Sequence, residues 1–302
     1  MRDQFCDAMI DQALNPKTVF LTGDLGFIAL ERLEKALDDR FINGGVAEQN
    51  MMSVAAAMSR TGLKVWAYSI APFIYARPFE QIRNDIAFHN EPVKIVGNGG
   101  GYGYGVMGPT HHAIEDYGTL LALPHMAACI PAFDEDVAAA VEWTANFEGP
   151  VYLRLGRGEK PPGYEVPPFS AWRELVRGEG NSLIIAIGPL AGSYIKALEG
   201  LEPAKRPSLW ALSILPLSLS PMPDVLFEKL KRVDTLIIAE EHVARSGLGA
   251  EFVLWLLHQG LRPSAFHHLH ARAHHYEHYG SQTYLRKQSG LSPESLLEIL
   301  RP

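Results

Sequence analysis

Three side chains in the first half of the sequence have the types and surroundings for chemistry. In "FINGGVAEQNMMSVAAAMSRTG" (41–62), Gly44 and Gly45 suit a tight turn, and Glu48 then opens a helix otherwise rich in Met, Ala and Val. A carboxylate there is either a helix-end acid favoured by the dipole or, in an apolar pocket, a group of raised pKa able to share a proton with a ligand nitrogen. Phe73, in "YSIAPFIYARPFEQIR", stands at a strand-to-helix junction and offers a flat face for a heteroaromatic ring. In "GNGGGYGYGVMGPTHHAIED", a glycine-rich loop leads into His111 and His112, where the competing reading is a helix start capped by Thr110.

That loop also satisfies G-x-G-x-x-G through Gly103, Gly105 and Gly108. A dinucleotide fingerprint needs a helix opening inside the motif and an acid about twenty residues later. Here Pro109 follows at once, and Glu115 and Asp116 come too early. The motif is a chance match. Another cluster, "HHLHARAHHYEH" (267–278), pairs His270 with His274 at helical i, i+4 spacing, which would suit a metal only on a helix.

The elements that position these residues alternate along the chain. "TVFLTG", "RFIN", "KVWAYS", "PVKIVGNG", "AACIPA" and "VYLRL" read as strands. Between them "FIALERLEKALDD", Glu48 to Met58, "RPFEQIRNDIAF", "AIEDYGTLLAL" and "DEDVAAAVEWTANF" read as helices. Continuous apolar strands separated by helices predict parallel sheet covered on both faces, an α/β class. Residues 158–181, with four prolines and four glycines, predict a linker or surface excursion. The alternation then resumes with "SLIIAIG", "SYIKALEGL", "SLWALSI", "DVLFEKLKRV", "TLIIAEEH" and "GAEFVLWLLHQGL". Two domains, 1–165 and 166–302, follow.

A chain of 302 residues suits two cores rather than one. At 47% hydrophobic and 20% charged it has a globular composition, and a net charge of −7 gives no general attraction to nucleic acid or anionic membrane. Two cysteines, Cys6 and Cys129, build no disulfide framework. The N-terminal "MRDQFCDAMIDQAL" reads as an amphipathic helix rather than a signal peptide, and no apolar run reaches membrane-spanning length. The cytoplasm is the expected compartment.

Taken in order, "GGVAEQNM", the "F…R…EQIR" helix, "GPTHHAIEDYGTLLALPHM" and "PVYLRLGRG" resemble the pyrimidine-binding domain of the transketolase family. Residues 182–290, with "IIAIGPL", "LIIAEEH…GLGAEF" and "HYGSQTYLRKQSGL", resemble its C-terminal domain. The resemblance implies two three-layer α/β/α domains with mainly parallel sheets, and it makes the His-rich segment a strand followed by a loop. It implies thiamine diphosphate as cofactor, with Glu48 hydrogen-bonding the aminopyrimidine nitrogen so that the cofactor's own exocyclic nitrogen can take the thiazolium C2 proton. The cofactor then serves as electron sink while a two-carbon ketol unit passes from a ketose to an aldehyde. Phe73 matches the aromatic stacked on the pyrimidine; Ile70 and Asp24 are implied near the cofactor; His111 is implied on the donor's oxygens.

Departures from the family pattern carry their own expectations. The family's G-D-G and later asparagines, which hold Mg²⁺ and the diphosphate, are missing; "GDLG" (23–26) is too short and on the wrong domain. The chain thus resembles the C-terminal subunit of a split transketolase, which implies an N-terminal diphosphate-binding partner holding the Mg²⁺, self-association to a dimer, and an α2β2 assembly. Met107 stands where the family has an Asp for a substrate hydroxyl. Of a His, Ser and Arg that gather the acceptor phosphate, the matching positions are Gly99, Ile28 and Arg157. A non-standard acceptor is expected, with Arg157 left to bind an anion. The rival readings are a β subunit of a 2-oxo acid dehydrogenase, a deoxyxylulose phosphate synthase, and a catalytically inactive transketolase-like protein that only docks to a partner.

Overall fold

The computed structural model describes residues 1–25 and 29–301. The strands, in chain order, are β1 Thr18–Thr22, β2 Phe41–Asn43, β3 Lys64–Ile70, β4 Lys94–Asn98, β5 Ala127–Cys129, β6 Val151–Leu155, β7 Trp172–Val176, β8 Ser182–Ile187, β9 Ser208–Leu212, β10 Ile214–Leu215, β11 Thr235–Val243 and β12 Ala265–Ala271. Among the described residues they form two sheets, ordered β10-β5-β6-β4-β3-β1-β2 and β12-β11-β8-β9-β7. Every neighbouring pair is parallel except β10 on β5 and β7 on β9.

Both faces of the first sheet are covered, and its inner strands β1, β4, β5 and β6 are buried along their whole length. Successive side chains of a strand point to opposite faces, and β3 divides accordingly. Val65 and Ala67 join Met51, Met52 and Ala55 of the helix Glu48–Arg60, while Trp66 and Tyr68 join Phe5 and Met9 of the helix Arg2–Ala13. The second sheet behaves alike: Ile184 and Ala186 face one cluster, Leu183 and Ile185 the other. That second cluster is the same one that receives Val65 and Met52. The two sheets therefore share an apolar layer, with Tyr117, Leu215 and Phe252 among its buried members.

Residues 158–181 are more than a linker. β7 lies within them and adds an antiparallel edge to the second sheet beside β9. Charges in "AWRELV" hide it in the sequence, yet Arg173 is buried and grips Asp136 through two bonds of 2.6 Å. The segment "RPFEQIRNDIAF" is helical, but Ile82–Ala87 winds with π geometry rather than as a regular helix. Of the helix expected over "FIALERLEKALDD", Phe27 and Ile28 lie outside the described residues, and Glu31–Leu37 is helical. "HHLHARAHHYEH" is strand β12 followed by a loop, so His270 and His274 do not share a helix face.

Parallel order places the carboxyl ends of β1, β2, β3, β4 and β6 on one edge. The register fixes their level: Thr22 opposite Asn43, and Ile70 opposite Asn98 opposite Leu155. In open parallel sheets that edge is where ligands bind.

Candidate functional site

Asn43, Gly44 and Gly45 turn the chain from β2 into the helix that Glu48 begins. Gly45 has φ +69°, a conformation that favours glycine, and its N–H donates to Asn43 Oδ1 at 2.9 Å. The turn swings Glu48 inward until it is 6% exposed. The pocket is not purely apolar. Glu48 Oε1 accepts from Arg77 Nη1 at 2.7 Å. The acid expected in an apolar pocket is thus an ion-paired one, because the chain bends after Tyr75 and returns Arg77 across the pocket mouth.

Phe73 sits on the short helix Ala71–Tyr75 at the end of β3, started by Pro72 in its first turn. The Arg77 guanidinium carbon stands 3.9 Å over its ring centre. The ring of His111 meets Phe73 in a tilted, edge-on contact, centroids 5.2 Å apart and planes at 67°. Glu48, Arg77, Phe73 and His111 are one continuous cluster. His111 closes a tight turn, Pro109–His111, and its Nδ1 lies 3.0 Å from Thr110 Oγ1. The next helix begins only at Asp116, so Thr110 is not its cap. Burial, and then the Arg77 charge, hold the His111 imidazole below the ordinary histidine value. At neutral pH it is an uncharged ring with one donor and one acceptor.

The other expected residues that the structure describes lie around this cluster. Asp24 is exposed after β1, its N–H bonded to Gly45 O and its Oδ1 accepting from Asn43 Nδ2 at 3.2 Å. Ile70, half-buried, ends β3 directly before the Phe73 helix. Met107 is 57% exposed on the turn Gly105–Met107. Arg157, exposed beyond β6, borders a cavity of about 300 Å³ that Asn98, Gly99, Tyr104, Asp134 and Arg2 also line. Ile28 lies outside the described residues.

Sequence reading missed Arg77 and Tyr104. Arg77 is visible as the "R" of "F…R…EQIR"; its role depends on a bend that spacing does not reveal. Tyr104 links the cluster to the cavity, its ring 6.4 Å from His111 and its hydroxyl accepting from Asn98 Nδ2 at 2.7 Å. Burial pushes its phenol up, against the pull of Arg2 and Arg157. It also explains Gly99. At φ +76°, a Cβ on Gly99 would fall 2.2 Å from the Tyr104 ring, so the aromatic takes the room that a larger side chain would need.

Behind the cluster the His-rich loop braces the wall. His274 Nε2 lies 2.6 Å from Glu115 Oε1, and its ring stacks on buried His112 at 5.8 Å and 7°. Tyr75, next to the Phe73 turn, donates to the other Glu115 oxygen at 3.4 Å.

Comparison with known proteins adds to this geometry. Residues 10–162 match the family described as "Transketolase, pyrimidine binding domain". The chain is 30% identical over 260 residues to an apulose-4-phosphate transketolase subunit of Phocaeicola vulgatus, covering 82% of this chain and 81% of that one. It is 26% identical over 270 residues to the subunit of the same name from Actinobacillus succinogenes, covering 88% and 85%. Among solved structures it is similar to "Split gene transketolase, inactive beta4 tetramer", with TM-score 0.82 and 28% identity over 99% of this chain and 96% of the other.

Proposed function

The chain belongs to the transketolase family, and from that premise we propose that it is the pyrimidine-binding and C-terminal half of a split enzyme that moves a two-carbon ketol unit from a ketose to an aldehyde. The division between its domains falls near residue 165, after β6 and before β7. One observation carries the cofactor reading. A buried carboxylate and an aromatic face already accommodate a flat nitrogen donor between them, in the form of the Arg77 guanidinium. An aminopyrimidine offers the same combination of planarity and hydrogen bonding, so the residues present fit the ring.

In this reading Glu48 accepts or shares a proton at the pyrimidine nitrogen, Phe73 stacks on the ring, and Ile70 and Asp24 flank it. Bound there, thiamine diphosphate supplies an electron sink for breaking and making a carbon–carbon bond beside a carbonyl. His111, kept neutral by burial and by Arg77, hydrogen-bonds the oxygens of the ketose donor. The diphosphate and its Mg²⁺ fall to a partner subunit, since the family's sequence for them is missing here. Val46, Val106 and Met107, at least half exposed beside the site, give that partner apolar ground. The chain self-associates as a dimer, and with the partner forms an α2β2 complex. Among the described residues no helix is long and apolar enough to cross a membrane, and the cytoplasm is the compartment we propose.

The acceptor is non-standard. Met107 offers no carboxylate to a substrate hydroxyl, and Gly99, with Tyr104 packed against it, offers no imidazole to a phosphate. A desolvated hydroxyl or phosphate without its partner costs about 1–3 kcal/mol, more when charged. Arg157 remains, beside the cavity, for a carboxylate, sulfonate or differently placed phosphate. The two relatives named for apulose 4-phosphate fit an unusual sugar.

The test is reconstitution with a diphosphate-binding partner, assayed over a panel of ketose donors and aldehyde acceptors. Two-carbon transfer is expected, with ribose 5-phosphate and erythrose 4-phosphate not the best acceptors. If those two lead by a wide margin, the reading of Met107 and Gly99 is wrong; decarboxylation of a 2-oxo acid would point to the dehydrogenase branch instead. A second reading, a docking protein without turnover, draws on the word "inactive" in the similar structure's description. Cofactor binding without transfer by the reconstituted pair would favour it.

A further inference from the structure

Arg77 makes two contacts at once. Its Nη1 donates to Glu48 Oε1 at 2.7 Å, and its guanidinium carbon lies 3.9 Å over the centre of Phe73. A planar, delocalised donor that bonds the acid while covering the aromatic face does to these two groups what the aminopyrimidine does under the proposed function. We propose that Arg77 fills the pyrimidine half-site of the cofactor-free chain as a stand-in for the ring, and swings out when the cofactor enters. The proposal rests on the reading of Glu48 and Phe73 as the pyrimidine contacts.

Burial supplies the reason for a stand-in. A carboxylate as enclosed as Glu48, stripped of its partner, is an uncompensated buried charge and strongly unfavourable. Arg77 supplies the countercharge until a ligand nitrogen replaces it. The exit is short. The Arg77 side chain is 44% exposed, and among the described residues Glu48 is its one hydrogen-bond partner. Arg77 also sits where the chain bends, after the helix Ala71–Tyr75 and directly before Pro78. Leaving therefore needs rotation of a long flexible side chain, with no helix broken. Lysine would carry the charge but lacks the flat face that matches the ring. The consequence is a lowered apparent affinity: a site open for only a fraction of the time binds weaker by that fraction.

The experiment titrates the full chain with 4-amino-5-hydroxymethyl-2-methylpyrimidine, following the His111 ring protons by NMR. His111 abuts Phe73 and feels the Arg77 charge, so it reports on both. Arg77→Met, close in length and uncharged, is expected to bind the pyrimidine about tenfold more tightly, with Arg77→Lys between it and the parent chain. Adding Glu48→Gln to Arg77→Met should remove the gain. Without ligand, Arg77→Met should also raise the pH at which His111 titrates. Equal or weaker pyrimidine binding by Arg77→Met, at an unchanged melting temperature, would overturn the stand-in role. An unmoved His111 titration would show that the contact is not made in solution and would overturn it too. Failure of every variant to bind the pyrimidine would overturn the reading of the pocket itself, and this proposal with it.

Discussion

Glu48 sits at the first position of a helix with its carboxylate turned inward, and among the described residues its charge is answered by Arg77. Glu48→Gln keeps the size and one hydrogen-bonding oxygen, so folding and assembly should survive with a melting temperature close to that of the parent. Turnover of the reconstituted enzyme should fall about a hundredfold or more, the scale of losing an acid–base group. Unchanged exchange of the cofactor's C2 proton in that variant would return Glu48 to the part of a helix-end acid. Histidines make a second prediction. Burial, then its neighbour His274, holds His112 below the usual 6.5, and His111 and His275 are lowered in the same direction. Their folded pKa values lie below the unfolded one, so the unfolded chain takes up protons first. Stability from this source is complete above about pH 6.5 and is lost as pH falls through the folded values. The melting temperature should drop between pH 7 and 5, and His112→Gln should flatten that slope. Glu48, Phe73 and His111 were readable from residue type and neighbouring glycines, and the fold brings all three into one cluster. Arg77 was not, because its meaning comes from the bend that carries it over Phe73.

At the scale of elements, the strands and their parallel pairing were legible wherever apolar runs were continuous, as in β1, β4 and β6, which are buried along their whole length, whereas their order in the sheet came from the structure alone. β7 escaped because its burial depends on an ion pair across the molecule. Arg173 reaches Asp136 at the start of the helix Val137–Asn146, and Asp136 also accepts from the N–H groups of Ala132 and Phe133 at 2.9 Å each. Arg173→Met removes the buried cation and should cost about 3 kcal/mol, at the low end for breaking a buried pair, since those two N–H donors still serve the carboxylate. Denaturant unfolding would measure it, and a loss below about 1 kcal/mol, the value of an exposed pair, would deny the pairing its role. The glycine loop after β4 makes a matching case. Gly99→Ala must carry a side chain at φ +76° and displace Tyr104. It should lower stability by about 1–3 kcal/mol and disturb the cavity beside Arg157.

For the whole molecule, the two sheets are locked by a shared apolar layer and by polar ties at its edge. Arg154 pairs with Asp116 at 2.7 Å and reaches the Glu241 carbonyl at 3.0 Å, while Glu241 binds Tyr102 N–H and Arg286. An apolar interface of this kind opposes the free domain motion expected of a more polar one, so the edge that presents Glu48, Phe73 and His111 is held in place against the second sheet. Among the described residues that edge presents no group of His, Cys, Asp and Glu able to hold a metal ion, and the proposed need for a partner rests on the missing diphosphate-binding sequence. The direct measurement is calorimetric titration of thiamine diphosphate with Mg²⁺ into the purified chain, alone and then mixed with a diphosphate-binding partner. The account predicts no micromolar binding by the chain alone, and saturable binding accompanied by ketol transfer once the partner is present. Micromolar binding by the chain alone would contradict it.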